Sequence, residues 1–208
     1  TKRIAELYCQ NLDKRSKTKF ITTRFGNVLG SAGSVVPLFK KQILAGGPVT
    51  VTHKDITRYF MTIAESVGLI LQAGVMGQGG EIFVLEMGEP ILIRELAEQM
   101  IKLSGYKVGE DIQIEYTGLR PGEKLYEEIF HDKEGLIGTD HPKLQLARSR
   151  EVDWEWLLYE LDELRVSAQS RAVDQLITHV RNIVPEFSAG SFGREDTLTA
   201  KPAPLRVV

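Results

Sequence analysis

Two hydrophobic periods take turns along this chain, and that alternation limits its fold more than any other feature. Short runs rich in β-branched and aromatic residues read as strands: Phe20-Ile21-Thr22-Thr23-Arg24-Phe25, Val49-Thr50-Val51-Thr52 and Ile112-Gln113-Ile114-Glu115-Tyr116. Between them, apolar residues recur every three or four positions, as on a helix that buries one face. Residues 2–15 carry Ile4, Leu7, Tyr8 and Leu12 in this way. A second helix is expected over 35–45, stopped by Gly46-Gly47, and a third over 93–103, ended by Gly105. Thr62-Ile63-Ala64-Glu65 has the pattern of a capping box and predicts a helix running to about Ala73. Further strands are expected over 81–87 and 143–147, and a short helix after Pro121. Strands alternating with helices make the class α/β.

From Asp153 onward the pattern is wholly helical. Trp154, Leu157, Leu158, Leu161 and Leu164 form one stripe, and Ala172, Leu176, Ile177 and Val180 form another before Pro185. These stripes suit either an oligomer contact or packing back on the same domain. Residues 188–208 have few apolar anchors and are expected to be a disordered tail. The strands are too few for a doubly wound sheet, and the chain opens on Thr1, without Met, directly in a helical pattern. The expectation is therefore a piece of a longer protein whose remaining strands lie upstream.

Composition removes several classes of function. The formal net charge is −2, and Lys and Arg do not cluster with aromatics, so nucleic-acid binding is not expected. No run approaches the ~20 apolar residues that span a bilayer; the most apolar stretch, 62–76, is broken by Glu65 and Gln72. The single cysteine, Cys9, forms no internal disulfide and reads as a small packed side chain in a reducing, cytoplasmic setting. His53, His131, His141 and His179 lack metal-ligand spacing, so no metal site is expected, and no GxSxG elbow is present.

Three constellations remain. Gly26-Asn27-Val28-Leu29-Gly30-Ser31-Ala32-Gly33-Ser34 lies between a strand and a helix. Glycines let the backbone curl with N–H groups exposed, and the helix start near Ser34, Val35 and Val36 adds free donors and a positive dipole end, which suits a phosphate. An ordinary strand-to-helix turn has the same spacing. Arg58, in Asp55-Ile56-Thr57-Arg58-Tyr59, sits between a strand and a capped helix, where its guanidinium suits a diphosphate; a surface ion pair with Asp55 is the alternative. In Gly118-Leu119-Arg120-Pro121-Gly122-Glu123-Lys124, Pro and Gly set a bend between Arg120 and Glu123. Such a bend suits a ligand with phosphates for the arginine and hydroxyls for the carboxylate, or is simply a turn with solvated charges.

Together these segments resemble the extended short-chain dehydrogenase/reductase superfamily, and within it the polysaccharide-biosynthesis group of UDP-N-acetylglucosamine 4,6-dehydratases. The resemblance rests on Thr1-Lys2-Arg3-Ile4-Ala5-Glu6, Arg24 to Gly30, Gly33 to Phe39, Asp55 to Met61 and Arg120 to Leu125, in that order and spacing. It implies that residues 1–150 form the end of a Rossmann-like core with a nucleotide-sugar-binding subdomain, and that 151–187 form a helical extension like that of the larger, membrane-anchored members. The NAD-binding N-terminal half of such a fold would lie outside this chain.

By this resemblance Lys2 is the lysine of the superfamily's Tyr-x-x-x-Lys pattern, catalytic and in contact with the nicotinamide ribose of NAD, with NADP left open. Asn27, Ser34, Val35 and Val36 would face the sugar diphosphate of a UDP-sugar, Arg58 and Arg120 would bind phosphate, and Glu123 would hold the nucleoside ribose. Ala32 and Lys54 depart from the arginine and proline that relatives often carry there. The implied reaction oxidises the hexose at C4, eliminates water across C5 and C6, and returns hydride to C6. A 4- or 5-epimerase of the same superfamily is the alternative; a non-catalytic binding module is the second, and the chain alone is expected to be inactive. A homo-oligomer at the cytoplasmic face of the inner membrane is the expected setting.

Overall fold

The computed structural model describes residues 1–127, 135–148 and 150–187. In chain order the first elements are α1 (Lys2–Asp13), β1 (Thr22–Arg24), β2 (Asn27–Val28), α2 (Val35–Leu44), β3 (Val49–Val51), β4 (Thr57–Arg58), β5 (Phe60–Met61) and α3 (Ile63–Met76). They are followed by β6 (Ile82–Leu85), β7 (Ile91–Leu92), α4 (Ile93–Leu103), β8 (Ile114–Tyr116), β9 (Leu136–Gly138), β10 (Leu144–Ala147), α5 (Trp154–Gln169) and α6 (Val173–Ile183).

The largest sheet has the order β1-β6-β10-β9, with β1 parallel to β6 and the other two pairs antiparallel. All four residues of β6 are buried, so this strand is covered on both faces and reads as an unbroken apolar run. Phe83 and Leu85 pack with Leu69 and Ala73 of α3 and with Leu144, while Ile82 and Val84 pack on the opposite side with Ala147. Three two-stranded pairs, β2-β5, β3-β8 and β4-β7, lie beside this sheet. Their core joins Phe39 and Ile43 of α2, Val49 and Val51 of β3, and Ile93, Ala97 and Ile101 of α4. Burying a side chain such as Phe39, which is fully covered, contributes about 2–3 kcal/mol.

The C-terminal helices pack back on this chain: Leu157, Ile183 and Val184 meet Ile4 and Leu7 of α1. Trp154 stacks at a tilt against Tyr8, with the Arg15 guanidinium 5.0 Å from the centre of a Trp154 ring. Between α5 and α6 the buried Glu160 accepts from Asn182 Nδ2 at 3.1 and 3.2 Å and lies 2.8 Å from His179 Nδ1. Leu158, assigned to the first stripe, is instead exposed. Among the described residues no helix is long and apolar enough to cross a membrane.

The strands of the alternating pattern are present but shorter at their ends. Residues 121–127 form turns and bends rather than the expected helix, because Pro121 and Gly122, the latter at φ +77°, build a reversal; the rest of that expectation, and the 188–208 tail, lie outside the described residues. The capping box forms: Thr62 Oγ1 accepts from the Glu65 N–H, and the Glu65 carboxylate accepts from the Thr62 N–H. The helix it opens passes Ala73 and continues to Met76, with Ile63, Val67, Leu71 and Val75 exposed on its outer face. Replacing Thr62 with Ala removes both hydrogen bonds of its hydroxyl to Glu65 and is expected to lower stability by about 1 kcal/mol, read as a reduced midpoint in urea unfolding.

Candidate functional site

Between β1 and β2 the chain leaves one sheet and enters another, and glycine permits the step. A Cβ on Gly26 would stand 2.8 Å from Tyr59 Cβ and 2.9 Å from the Tyr59 carbonyl oxygen. Because the backbones approach this closely, the Asn27 N–H donates to the Tyr59 carbonyl at 2.8 Å and Leu29 N–H to Met61 at 2.9 Å. Gly30 and Gly33 then turn the chain with φ of +76° and +73° into α2. Ser34 is the N-cap of that helix, but its hydroxyl donates back to the Ser31 carbonyl at 2.7 Å instead of capping. Pro37 has no N–H, so the first turn of α2 presents the N–H groups of Val35 and Val36 to whatever lies in front of it.

What lies in front is a cleft of about 450 Å³. Asn27, Gly33, Ser34 and Val35 line one side, and Thr52, Arg58, Thr117, Arg120 and Glu123 another. Apolar Leu38, Phe39, Val51, Ile56, Phe60 and Ile93 complete the lining. Arg58, on β4, is one of the most constrained side chains in it. Its Nη1 donates to the carbonyls of Thr57 at 2.7 Å and Leu125 at 3.3 Å; its Nη2 lies 3.5 Å from Glu123 Oε1 and its Nε 3.4 Å from Glu127 Oε1. Its side chain is 13% exposed, whereas that of Arg120 is 77% exposed. Glu123 accepts from Thr52 Oγ1 and Arg120 Nη2, both at 3.2 Å, and from the Arg120 backbone N–H at 3.1 Å. Burial pushes the Glu123 carboxyl up, but the Arg120 side chain, backbone and charge, together with Thr52, outweigh it and hold it below the ordinary carboxylate range. The hydrogen bond to Glu123, then its charge, raises Arg120 in turn.

A larger cleft, of about 1100 Å³, opens on the other side of Asn27, which lines both. Lys2, Glu6 and Cys9 of α1 line it, with Thr22 to Gly26 and with Gly122, Lys124 and Glu127. The bend after Gly118 is therefore a shared wall, turning Arg120 and Glu123 to one cleft and Lys124 and Glu127 to the other. In the larger cleft Glu6 takes two short bonds from Arg24, at 2.6 and 2.7 Å, and one from Arg3 at 2.9 Å. Among the described residues no group of acidic residues, histidines or cysteines has the arrangement of a metal site.

A family model described as polysaccharide biosynthesis protein matches residues 1–149. The chain belongs to this family. Family members include the probable polysaccharide biosynthesis protein EpsC of Bacillus subtilis, 52% identical over 92% of this chain and 32% of its own length. The solved structure of Pen from Bacillus thuringiensis superposes with a TM-score of 0.63 at 38% identity, over 70% of this chain and 45% of that one. Two more distant structures share the Rossmann-like fold: dTDP-glucose 4,6-dehydratase from Bacillus anthracis in complex with NAD (TM-score 0.51, 21% identity, 62% of this chain and 41% of that one) and UDP-glucose 4-epimerase with UDP-glucose from Thermotoga maritima (TM-score 0.50, 21% identity, 62% and 42%). The polysaccharide-biosynthesis chain described here thus spans about a third of its Bacillus subtilis relative and under half of Pen. The dehydratase and epimerase structures are alike in sharing this fold.

For this family member the smaller cleft brings together Asn27, Ser34, Val35, Arg58, Arg120 and Glu123, which the sequence scatters over about a hundred positions. Val36 is beside them at the helix start but does not line the cleft, and Lys2 belongs to the larger one. Arg58 corrects its sequence reading twice: it sits in a strand, not a loop, and pairs with Glu123 and Glu127 instead of Asp55, because strand pairing turns it toward the 118–127 bend. Asp55 pairs loosely with His53. Cys9 is half-buried and lines the larger cleft. Thr52, Glu127 and the Glu6–Arg24 pair carry no local signature, and only the fold reveals them. Replacing Arg58 with Ala leaves two shielded carboxylates without their shared cation; stability is expected to fall by about 2–3 kcal/mol in urea unfolding.

Proposed function

We propose that this chain forms the nucleotide-sugar-binding part of an NAD-dependent 4,6-dehydratase acting on UDP-N-acetylglucosamine in surface polysaccharide synthesis. The observation that carries the reading is the smaller cleft, where open helix N–H groups, an exposed arginine and a shielded carboxylate face one apolar-lined space. The Val35 N–H at the helix start and Arg120 suit the two phosphates of a nucleoside diphosphate, with Val36 adding to the positive end of the helix beside them. Glu123 suits the ribose hydroxyls, and Leu38 and Phe60 give the base an apolar bed. Asn27, common to both clefts, suits the bridge between diphosphate and sugar, so that the hexose would extend into the larger cleft.

There the Lys2 ammonium is the chain's own contribution to the cofactor end, suited to hydrogen-bond a ribose hydroxyl and to favour the anionic form of a neighbouring acid. NAD, when bound, supplies a hydride acceptor and donor. The chain's residues orient the sugar and hold its phosphates, and the resemblance to the larger family members extends the reading to a parent at the cytoplasmic face of a membrane. A 4-epimerase is the second reading, favoured by the fold shared with UDP-glucose 4-epimerase.

Two outcomes are expected. Calorimetric titration of this chain with UDP gives saturable binding, and Arg120→Ala weakens it about tenfold or more, the magnitude of a lost charge-assisted contact. Incubating the full-length parent with UDP-N-acetylglucosamine gives, by NMR, a 4-keto-6-deoxy product with a C6 methyl signal. A C4 epimer that keeps its C6 hydroxyl would instead establish the epimerase.

A further inference from the structure

The charges of the smaller cleft already satisfy one another. Glu123 engages Arg120 through both carboxylate oxygens, at 3.2 and 3.4 Å from the guanidinium, and Arg58 lies 3.5 Å from Oε1. Arg58's remaining N–H groups are spent on Thr57, Leu125 and Glu127. A phosphate asks of a guanidinium what Glu123 already takes, two N–H donors in one plane, and both cannot use the same pair. The carboxylate thus stands in the empty cleft as an internal competitor for any anion that comes to the Nε–Nη2 edge of Arg120, the edge held toward the cleft.

We propose that Glu123 sets the selectivity of this cleft, admitting ligands that carry both phosphate and hydroxyl donors and rejecting ligands that carry phosphate alone. The proposal rests on the nucleoside-diphosphate reading of the cleft. A ligand such as inorganic pyrophosphate separates Arg120 from Glu123 and leaves a carboxylate that is only 11% exposed with the Thr52 hydroxyl and the longer 3.5 Å contact to Arg58, a guanidinium it shares with Glu127, beside added negative charge. A nucleoside diphosphate makes the same demand on the arginine but brings a ribose diol that donates to the freed carboxylate. The number of charge-assisted hydrogen bonds is then conserved across the exchange. Because its contacts hold the Glu123 carboxyl below the ordinary range, it is ionised at neutral pH and the discrimination operates there.

The test is calorimetric titration of the chain with inorganic pyrophosphate and, separately, with UDP. Glu123→Gln is expected to tighten pyrophosphate binding about tenfold, the scale of releasing one charge-assisted pair, while UDP binding is unchanged or weaker. Glu115→Gln, which removes the same charge from an exposed position on β8, controls for net charge and should change pyrophosphate affinity far less. Glu123→Asp, drawn back by one methylene, is expected to act in the same direction and decides the matter if the glutamine variant does not fold by circular dichroism. Pyrophosphate affinity that is unchanged or weaker in both variants overturns the proposal, as does tightening that Glu115→Gln reproduces. If UDP fails to bind the unmodified chain, the nucleotide reading falls, while the pyrophosphate comparison still reads the role of Glu123 by itself.

Discussion

Five residues, Thr57 to Met61, hold the two clefts in place through backbone hydrogen bonds in three directions. On β4, Thr57 and Arg58 pair with Leu92 and Ile91, which start α4. On β5, Phe60 and Met61 pair with Asn27 and Val28 through the ladder that Gly26 makes possible. The Thr57 N–H donates to Leu125, tying the same segment to the bend after Gly118. A chain this short cannot slide in register without breaking all three sets at once, and a one-residue slip would turn Arg58 away from Glu123. The position of every charged group in the smaller cleft follows from this junction.

The junction also explains why Arg58 and Arg120 differ, although each reads as a phosphate-binding arginine. Arg58 emerges from a strand between two acidic residues, and each of its three nitrogens meets a carbonyl or a carboxylate. It supports the bend. Arg120 sits at the start of the bend, is mostly exposed, and shares one carboxylate with it.

Family membership and this geometry address different parts of the function. Membership rests on a match through residues 1–149, and a dehydratase and an epimerase are among the structures that share the fold. Of the larger cleft this chain contributes the wall from Lys2 to Cys9 and from Thr22 to Asn27, with Gly122, Lys124 and Glu127 opposite the smaller cleft's Arg120 and Glu123.

Local sequence determined the pieces. Hydrophobic period, the Thr62–Glu65 box and glycine stops announce the long helices and the longer strands, because these depend on neighbours within about four residues. The two-residue strands β2, β4, β5 and β7 are absent from any such pattern: a pair of residues has no period, and their pairing is decided by partners far along the chain, as for Arg58 and Ile91. The same holds in the cleft. Glycine spacing, a helix start and the Arg120–Glu123 bend are legible as candidate phosphate and hydroxyl contacts, but that Thr52 steadies Glu123, that Glu127 takes the far side of Arg58, and that Lys2 faces a separate cleft are tertiary facts. The sequence by itself determined which groups were available to meet an anion; only the tertiary structure decided which of them were already engaged, because ion pairs form between side chains that share a space, whatever their distance along the chain.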